Sequence, residues 1–160
     1  MRTKRKSKRL TKKRYHKKKK SKVLKRSGSF IFISKSLVKK RFNKSPKGRM
    51  KFERELSIYK KKLNYIPRLV SYNPKLLEIV MKNVGVSLLD KYRPKDRKKY
   101  LKDMKKLHKR FLKDTGYYHN DVRYQNTLED KNGKLFFIDF EKIDRKLKDS
   151  FNYKYARKLY

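Results

Sequence analysis

The sequence contains no cysteine, no long apolar run and no acidic residue before Glu53. Without cysteine the chain forms neither disulfides nor thiolate metal sites, and cysteine usage cannot indicate its compartment. The longest apolar runs, at 30–33 and 135–138, are far too short to span a bilayer, and no apolar signal core follows the basic start. We therefore expect a soluble protein that is not secreted: intracellular, in the cytoplasm or nucleus, or packaged in a particle.

Positive charge dominates the composition and is concentrated at the N-terminus. Lysine and arginine number 53 against 14 acids, a formal net charge of +39 in 160 residues, and residues 1–27 hold 16 of the basic side chains. Such a segment buries too little apolar surface to offset the entropy of ordering, so we predict a disordered basic tail over 1–27. Its expected partner is nucleic acid or another polyanion, bound without sequence preference. A nuclear-address or merely solubilising run is the alternative.

The hydrophobic pattern after the tail predicts a mixed α+β domain over residues 28–160. Two-residue alternation predicts adjacent strands at 29–34 and 37–42, with Lys40 and Phe42 on one face of the second. Residues 43–50 read as a loop because of their Pro and Gly content. The other predicted elements are a helix at 50–63, strands at 66–71 and 76–81, a short helix at 87–92, a long amphipathic helix at 96–113, a hairpin turning at 132–133 with a returning strand at 134–139, and a final basic helix within 142–160.

The most informative stretch is YHNDVRYQNTLEDKNGKLFFIDFE, at 118–141. His119 and Asp121 form a His-x-Asp motif, Asn126 follows after four intervening residues, and Asp139 closes an apolar strand-like run thirteen residues later. Phosphoryl transfer requires one carboxylate to orient the acceptor hydroxyl and take its proton, and an amide and a second carboxylate to hold metal ions. At average residue usage these four residues at fixed spacing are about a one-in-10⁵ coincidence per starting position. The spacing therefore predicts a phosphotransfer site.

The motifs and the order of elements resemble the protein-kinase-like superfamily over roughly residues 28–145. His-Asn-Asp with Ile-Asp-Phe-Glu is similar to choline and aminoglycoside phosphotransferases, and compact RIO-type and lipopolysaccharide kinases are further relatives. The resemblance implies a reduced two-lobed kinase-like fold, with an N-lobe at 28–85 and a truncated C-lobe at 86–160. It also implies ATP and Mg²⁺ as cofactors.

Within the motif region, the resemblance implies that Asp121 is the catalytic base. Asn126 and Asp139 would hold Mg²⁺, and His119 would be a scaffold residue packed beneath the loop. Taken singly, an Asn is more often a loop former and an Asp at a strand end a cap, so these roles depend on the combined motif.

Upstream, the resemblance implies a strand lysine that contacts the α- and β-phosphates and a helix glutamate that pairs with it. Lys40 matches the lysine, with Lys39 as the alternative. Glu55 matches the glutamate, with Glu53 as the alternative.

A hinge that cradles adenine is implied at 77–85. Met81 would be its gatekeeper, and backbone groups from Lys82 to Val84 would face the base. Two departures stand out: Gly28 is the only glycine near the expected phosphate loop, and Glu141 replaces a usual glycine.

Three functions are consistent with the sequence. The favoured one is an ATP- and Mg²⁺-dependent serine/threonine protein kinase, which transfers phosphate to a protein hydroxyl while the basic tail binds a polyanion. The second is a small-molecule kinase of the choline or aminoglycoside type, although the short C-lobe leaves little to build its acceptor pocket. The third is a non-catalytic nucleic-acid- or particle-associated protein on a degenerate kinase scaffold, which the charge and the weak phosphate loop favour.

Overall fold

A computed structural model describes residues 22–26, 28–91 and 93–146. They form two parts: a sheet with one helix up to about residue 85, and a helical part with small sheets after it. The predicted α+β class is confirmed. The predictions for residues 1–21 concern positions outside the described ones, as does the part beyond residue 146 of the helix predicted within 142–160. The described start of that range is not an α-helix: a 3₁₀ turn ends at Lys142 and a short strand follows at Ile143–Asp144. Among the described residues, no helix is long and apolar enough to cross a membrane.

The first part is a sheet of five antiparallel strands. They are β1 (Lys22–Arg26), β2 (Ser29–Ile33), β3 (Leu37–Phe42), β4 (Leu69–Asn73) and β5 (Glu78–Lys82), in the spatial order β1-β2-β3-β5-β4. The alternation predicted for β3 is confirmed, because Lys40 and Phe42 are buried. Lys39 and Arg41 therefore point to the opposite face of the sheet.

Strand β1 corrects the predicted boundary of the tail, because its residues belong to the stretch assigned to the disordered segment 1–27. Every residue of β1 pairs with one of β2, from Lys22 opposite Ile33 to Arg26 opposite Ser29. Leu24 is half-buried, on the sheet face that β1 shares with Lys40. The basic composition of this segment predicts disorder, because composition takes no account of backbone pairing with a neighbouring strand. The pairing with β2 is what orders it.

Helix α1 spans Pro46–Tyr59 and so begins before the predicted position and ends before residue 63. The hydroxyl of Ser45 accepts a hydrogen bond from the backbone N–H of Gly48 at 3.1 Å, which caps the helix. Pro46 suits the first helical position because its φ is fixed and its missing N–H is not needed there. The Pro and Gly that suggested a loop at 43–50 are thus first-turn residues of a helix.

The second part is built around one long helix. Its elements are β6 (Val86–Ser87), α2 (Leu88–Lys91), α3 (Arg97–Thr115), β7 (Tyr118–His119), β8 (Thr127–Glu129), β9 (Leu135–Phe137) and β10 (Ile143–Asp144). As predicted, Gly116 ends α3 in a left-handed conformation. The predicted hairpin is β8 paired with β9, with Gly133 at φ +79° in its turn, while β7 pairs with β10.

One of the two hydrophobic core clusters of the described residues joins the two parts. It includes Phe42 of β3, Phe52 of α1, Ile79 of β5 and Phe111 of α3, and it extends to Phe140 after β9. Because buried side chains of both parts belong to one cluster, the parts pack directly against each other. This packing brings the end of β9 under α1 and β3, where the candidate site lies.

Candidate active site

Lys40 lies at the centre of the site, on the face of β3 that packs toward α1. Its ammonium donates hydrogen bonds to Glu55 Oε2 at 2.7 Å and to Asp139 Oδ1 at 2.8 Å. Only 5% of the Lys40 surface and 1% of the Glu55 surface are exposed. Charged side chains are almost never buried so completely unless they are paired, as these are.

The structure separates the alternatives that the sequence leaves open. Lys39 points to the opposite face of the sheet, where its ammonium lies 3.2 Å from Glu78. Glu53 is exposed on the outer side of α1. Lys40 and Glu55 are therefore the residues that the fold brings together.

Asp139 follows β9 with a left-handed backbone, φ +68° and ψ +65°. Few non-glycine residues adopt this conformation, and such residues cluster at functional sites. Glu141 also contacts Lys40, at 2.9 Å, and forms a second ion pair with Lys51 of α1. The sequence marked Glu141 only as a departure from glycine, and its spacing did not reveal that it joins this cluster.

The cluster carries more negative than positive charge, because three carboxylates meet the two ammonium groups of Lys40 and Lys51. Burial disfavours the charged form of Lys40, but Glu55, Asp139 and Glu141 outweigh it and raise the pKa of Lys40. Burial raises the pKa of Glu55 to about 7, because Lys40 offsets only part of the cost of removing this carboxylate from water. The site therefore favours the uptake of another cation.

Asn126 holds Asp121 in place. Its Nδ2 donates to the backbone oxygen and to Oδ2 of Asp121, both at 3.0 Å. Asn126 is 1% exposed, and its Oδ1 has no hydrogen-bond partner among the described residues. A buried carbonyl oxygen without a partner is costly unless a ligand uses its lone pairs.

These residues fit a divalent cation such as Mg²⁺, which prefers carboxylate and amide oxygens. Ligand oxygens of Glu55, Asp139 and Glu141 lie within 4.8 Å of one another. Asn126 separately offers a buried amide oxygen that has no hydrogen-bond partner among the described residues. Asp139 and Asn126, the two predicted metal ligands, thus have donor atoms of the required kind.

Two cations that the sequence analysis did not single out flank Asp121. Arg123 Nη2 lies 3.2 Å from Oδ2 of Asp121, and Lys142 Nζ lies 3.4 Å from Oδ1. Lys142 comes from the 3₁₀ turn that follows Asp139. In a chain with 53 basic residues no single cation stands out by its spacing, so only the fold identifies these two.

His119 is fully buried beneath the Asp121 loop. Its Nε2 lies 3.0 Å from the backbone oxygen of Ile138, and its backbone N–H donates to Nε2 of His108 on α3 at 3.2 Å. Burial lowers the pKa of His119, which favours a neutral ring. These contacts are those expected of the predicted scaffold residue.

The predicted hinge residues lie where the sheet passes into the second part of the chain. Met81 is buried opposite Val38 of β3, close to the Lys40 strand position. The backbone N–H of Lys82 donates a hydrogen bond to the backbone oxygen of Arg68 at 2.9 Å. Since the N–H of Asn83 is also used within the fold, Val84 is the remaining predicted donor for a base.

The connection between β1 and β2 is only two residues long. Gly28 adopts φ +85°, and its carbonyl oxygen accepts a hydrogen bond from the backbone N–H of Asn43 at 3.1 Å. This contact ties the turn to the segment that precedes α1. Little backbone remains to surround a phosphate, in agreement with Gly28 being the only glycine near the expected phosphate loop.

The structure is similar to solved structures of WbdD, one of which is described as a bifunctional kinase-methyltransferase. The structure with that description aligns with a TM-score of 0.58 and 21% sequence identity. The alignment covers 74% of this chain and 30% of the WbdD chain. The structure of monomeric WbdD aligns with a TM-score of 0.59 and 21% identity over 74% and 33%. WbdD with the kinase inhibitor LY294002 aligns with a TM-score of 0.52 and 17% identity over 76% and 32%. This chain has a kinase-like fold.

The first part is thus the N-lobe and the second a reduced C-lobe, which confirms the predicted two-lobed fold. The chain spans about a third of the length of the solved structures it matches. No protein-family model matches the chain, and no curated protein does. The similarity therefore establishes the fold and does not select among the kinase branches named above.

A cavity of about 1000 Å³ lies outside the cluster of charged residues. It is bounded by the end of α1, the segment after it, and β4, and its walls include Lys82 and Val84 but neither Lys40 nor Asp139. The cavity therefore borders the predicted hinge residues Lys82 and Val84 but not the charged cluster.

Proposed function

We propose that this chain is an ATP- and Mg²⁺-dependent phosphotransferase, specifically a small serine/threonine protein kinase. The observation that carries the proposal is the buried junction of Lys40, Glu55 and Asp139, which joins β3, α1 and the end of β9. In kinases a strand lysine paired with a helix glutamate contacts the phosphates, and an aspartate after the hairpin holds the metal. The unpaired oxygen of Asn126 supports the same assignment.

Asp121 would act as the catalytic base. Its carboxylate would orient the acceptor hydroxyl and take its proton as the oxygen bonds to the γ-phosphorus of ATP. The bond from that phosphorus to the β,γ-bridging oxygen would break in the same step, and ADP would leave. Asn126 holds that carboxylate in place through the 3.0 Å hydrogen bond. Arg123 and Lys142, within 3.4 Å of the same carboxylate, would balance the negative charge that gathers around it.

Asp139 and Asn126 would hold Mg²⁺, which when bound neutralises charge on the phosphates. Lys40 would contact the α- and β-phosphates. Met81 would border the adenine site, and Val84 would supply the backbone donor.

We infer that the acceptor is a hydroxyl on an acidic protein segment. The cations Arg123 and Lys142 flank Asp121, and the whole chain carries a net charge of +39, so an acidic partner is complementary. After Asp139, the described residues supply only a 3₁₀ turn and the two-residue strand β10. Among the described residues, these short elements offer little structure from which to build a pocket for a small-molecule acceptor.

The first test measures nucleotide binding by thermal unfolding of the full chain with and without Mg²⁺-ATP, in salt that screens bare charge attraction. Ligand at about a hundredfold over its dissociation constant should stabilise the protein by about 2.7 kcal/mol, a shift of several degrees. Asp139→Asn, which tolerates the left-handed backbone, should lose the Mg²⁺-dependent part of the shift. Asp90→Asn, the same change at an exposed position, should keep it.

Turnover is tested separately with Asp121→Asn, using acidic Ser/Thr-containing protein acceptors. Loss of a general base should slow phosphate transfer by at least about a hundredfold while the thermal shift with Mg²⁺-ATP remains. Unchanged turnover in this variant would overturn the assignment of Asp121.

A non-catalytic scaffold is the second candidate function, favoured by the short turn at Gly28 that leaves little backbone for phosphates. It predicts no Mg²⁺-dependent thermal shift, or an equal shift in the wild type and in Asp139→Asn. Either result would replace the kinase proposal with this one.

A further inference from the structure

The outer face of the N-lobe sheet, the face opposite Lys40, exposes two phenylalanine rings. Phe30 is 42% exposed and Phe32 is 38% exposed, and they are alternate residues of β2. Large apolar rings side by side on a surface are unusual unless the surface binds something. Helix α1 covers only the other face, because it pairs with Lys40 through Glu55.

The register of the sheet places cations beside both rings. Phe30 lies between Lys25 of β1 and Arg41 of β3. Phe32 has Lys39 of β3 as its neighbour. The ammonium of Lys25 lies 5.9 Å from the centre of the Phe30 ring, within the range of a cation–π contact. Aromatic rings and cations therefore share this face in adjacent rows.

One acid also lies on the outer face. Glu78 of β5 is largely buried and is engaged by Lys39 at 3.2 Å and by Arg41 at 2.7 Å. It fixes the positions of these two cations and neutralises part of their charge. With Lys25 included, the face remains positive around the rings.

The spacing of the rings suits a nucleic acid strand. Residues two apart in an antiparallel strand are separated by about 6.8 Å, since each residue rises about 3.4 Å. Proteins bind single strands by combining cations that contact the backbone with aromatic rings on which successive bases stack, and one such module presents its rings on a β-sheet. We propose that Phe30 and Phe32 form a stacking surface for the bases of single-stranded nucleic acid, with Lys25, Lys39 and Arg41 contacting its phosphates.

This surface differs in mechanism from polyanion binding by the basic tail. Charge attraction alone favours a duplex, whose charge density is higher, and it does not distinguish strands with bases from strands without them. Stacking requires exposed bases, which a duplex does not offer. The inference does not depend on the proposed kinase activity, because the outer face and the Asp139 cluster lie on opposite sides of the sheet.

The test measures dissociation constants of the full chain by fluorescence anisotropy, at several salt concentrations. The probes are an oligothymidine of about 12 nucleotides, an abasic strand of the same length and a duplex. The variant Phe30→Ala with Phe32→Ala should weaken oligothymidine binding by at least about tenfold. Its affinity for the abasic strand, and the dependence of affinity on salt, should stay unchanged because no charge is removed.

Two further variants separate stacking from a general loss of structure. Phe30→Tyr with Phe32→Tyr keeps both rings and should retain the affinity for oligothymidine. Val86→Ala with Leu89→Ala removes exposed apolar side chains from the C-lobe and should leave that affinity unchanged.

Three results would overturn the proposal. One is equal binding of the oligothymidine by the wild type and the double alanine variant, which would leave charge attraction as the whole effect. Another is an equal loss of affinity for the abasic strand. The third is a dimer in sedimentation that dissociates only in the alanine variant, which would make this face an interface between copies of the chain.

Discussion

At the scale of single residues, the two buried histidines make the Asp121 loop sensitive to pH. His108, on α3, is 6% exposed and accepts a hydrogen bond from the backbone N–H of His119. Burial, assisted by the neighbouring His119, lowers the pKa of His108 to about 4. A protonated His108 would lose the lone pair that accepts this bond, so the loop depends on a neutral imidazole.

The pH dependence of folding tests this arrangement. The imidazole takes a proton near pH 6.5 when the chain is unfolded and near pH 4 when it is folded. Between these values the unfolded state binds more protons, so the unfolding free energy falls as the pH falls, by up to about 3 kcal/mol for His108. His108→Gln keeps an acceptor and removes the titration, so urea unfolding of this variant should depend less steeply on pH than that of the wild type.

A matched control is His16→Gln, which changes a histidine outside the described residues. It should leave the steepness unchanged. If the unfolding free energy of His108→Gln depended on pH as steeply as that of the wild type, the lowered pKa of His108 would not be the cause of that dependence.

The motif residues could be predicted from the sequence because they lie close together along the chain. The spacing from His119 to Asp139 is fixed by one loop and one hairpin, so it is visible without a fold. Glu141, Arg123 and Lys142 could not be predicted in this way. Their roles arise from distances to Lys40 and Asp121, which depend on tertiary packing.

At the scale of elements, the start of α1 is held by a close approach of two backbones. A Cβ atom placed on Gly48 would lie 2.0 Å from Oδ1 and 2.1 Å from the backbone oxygen of Asn43. Asn43 in turn donates to Gly28 in the β1–β2 turn. The first turn of α1 is therefore coupled to the edge of the sheet, and the next turn carries Lys51 toward Glu141.

Gly48→Ala should destabilise the protein by about 1–3 kcal/mol, the range for overpacked sites, even though alanine is the better helix former. The measurement is the free energy of urea unfolding. Lys47→Ala, at the exposed neighbouring position, should be neutral or slightly stabilising. A Gly48→Ala variant as stable as Lys47→Ala would contradict the close contact with Asn43.

Long, strongly periodic elements were the ones that the sequence predicted well. Helix α3 and strands β2 and β3 lie within a residue or two of the expected bounds. The start of α1 was missed because Pro46 and Gly48 are loop formers in isolation and helix starters only when Ser45 caps them. Strand β1 was missed because its lysines match those of the basic tail, and only its pairing with β2 distinguishes it.

At the scale of the whole molecule, removal of the N-terminal residues should have two separable effects. Deleting residues 1–21 removes many positive charges but none of the described sheet, so the unfolding free energy should change little. Deleting residues 1–27 also removes β1, uncovers the edge of β2 and exposes Ile31, and should therefore cost more stability. Urea unfolding of the two truncated chains compares them directly, and equal stability would mean that β1 contributes nothing.

The two-lobed architecture was within reach of the sequence, whereas the contact between the lobes was not. The order of strands, helices and motifs indicates a kinase-like fold without any knowledge of packing. The shared core around Phe111 and Phe140, and the cavity beside β4, follow from how the lobes meet. Local patterns carry no information about such long-range contacts.

The hydrogen bond from Lys40 to Asp139 joins residues 99 positions apart. During synthesis on the ribosome, the strands and helix of the N-lobe emerge and can pair long before residues 121–141 exist. Over that interval Lys40 and Glu55 have neither Asp139 nor Glu141 beside them. The charged cluster around Lys40 can therefore be completed only at the end of translation of this region, when the hairpin docks beneath the sheet.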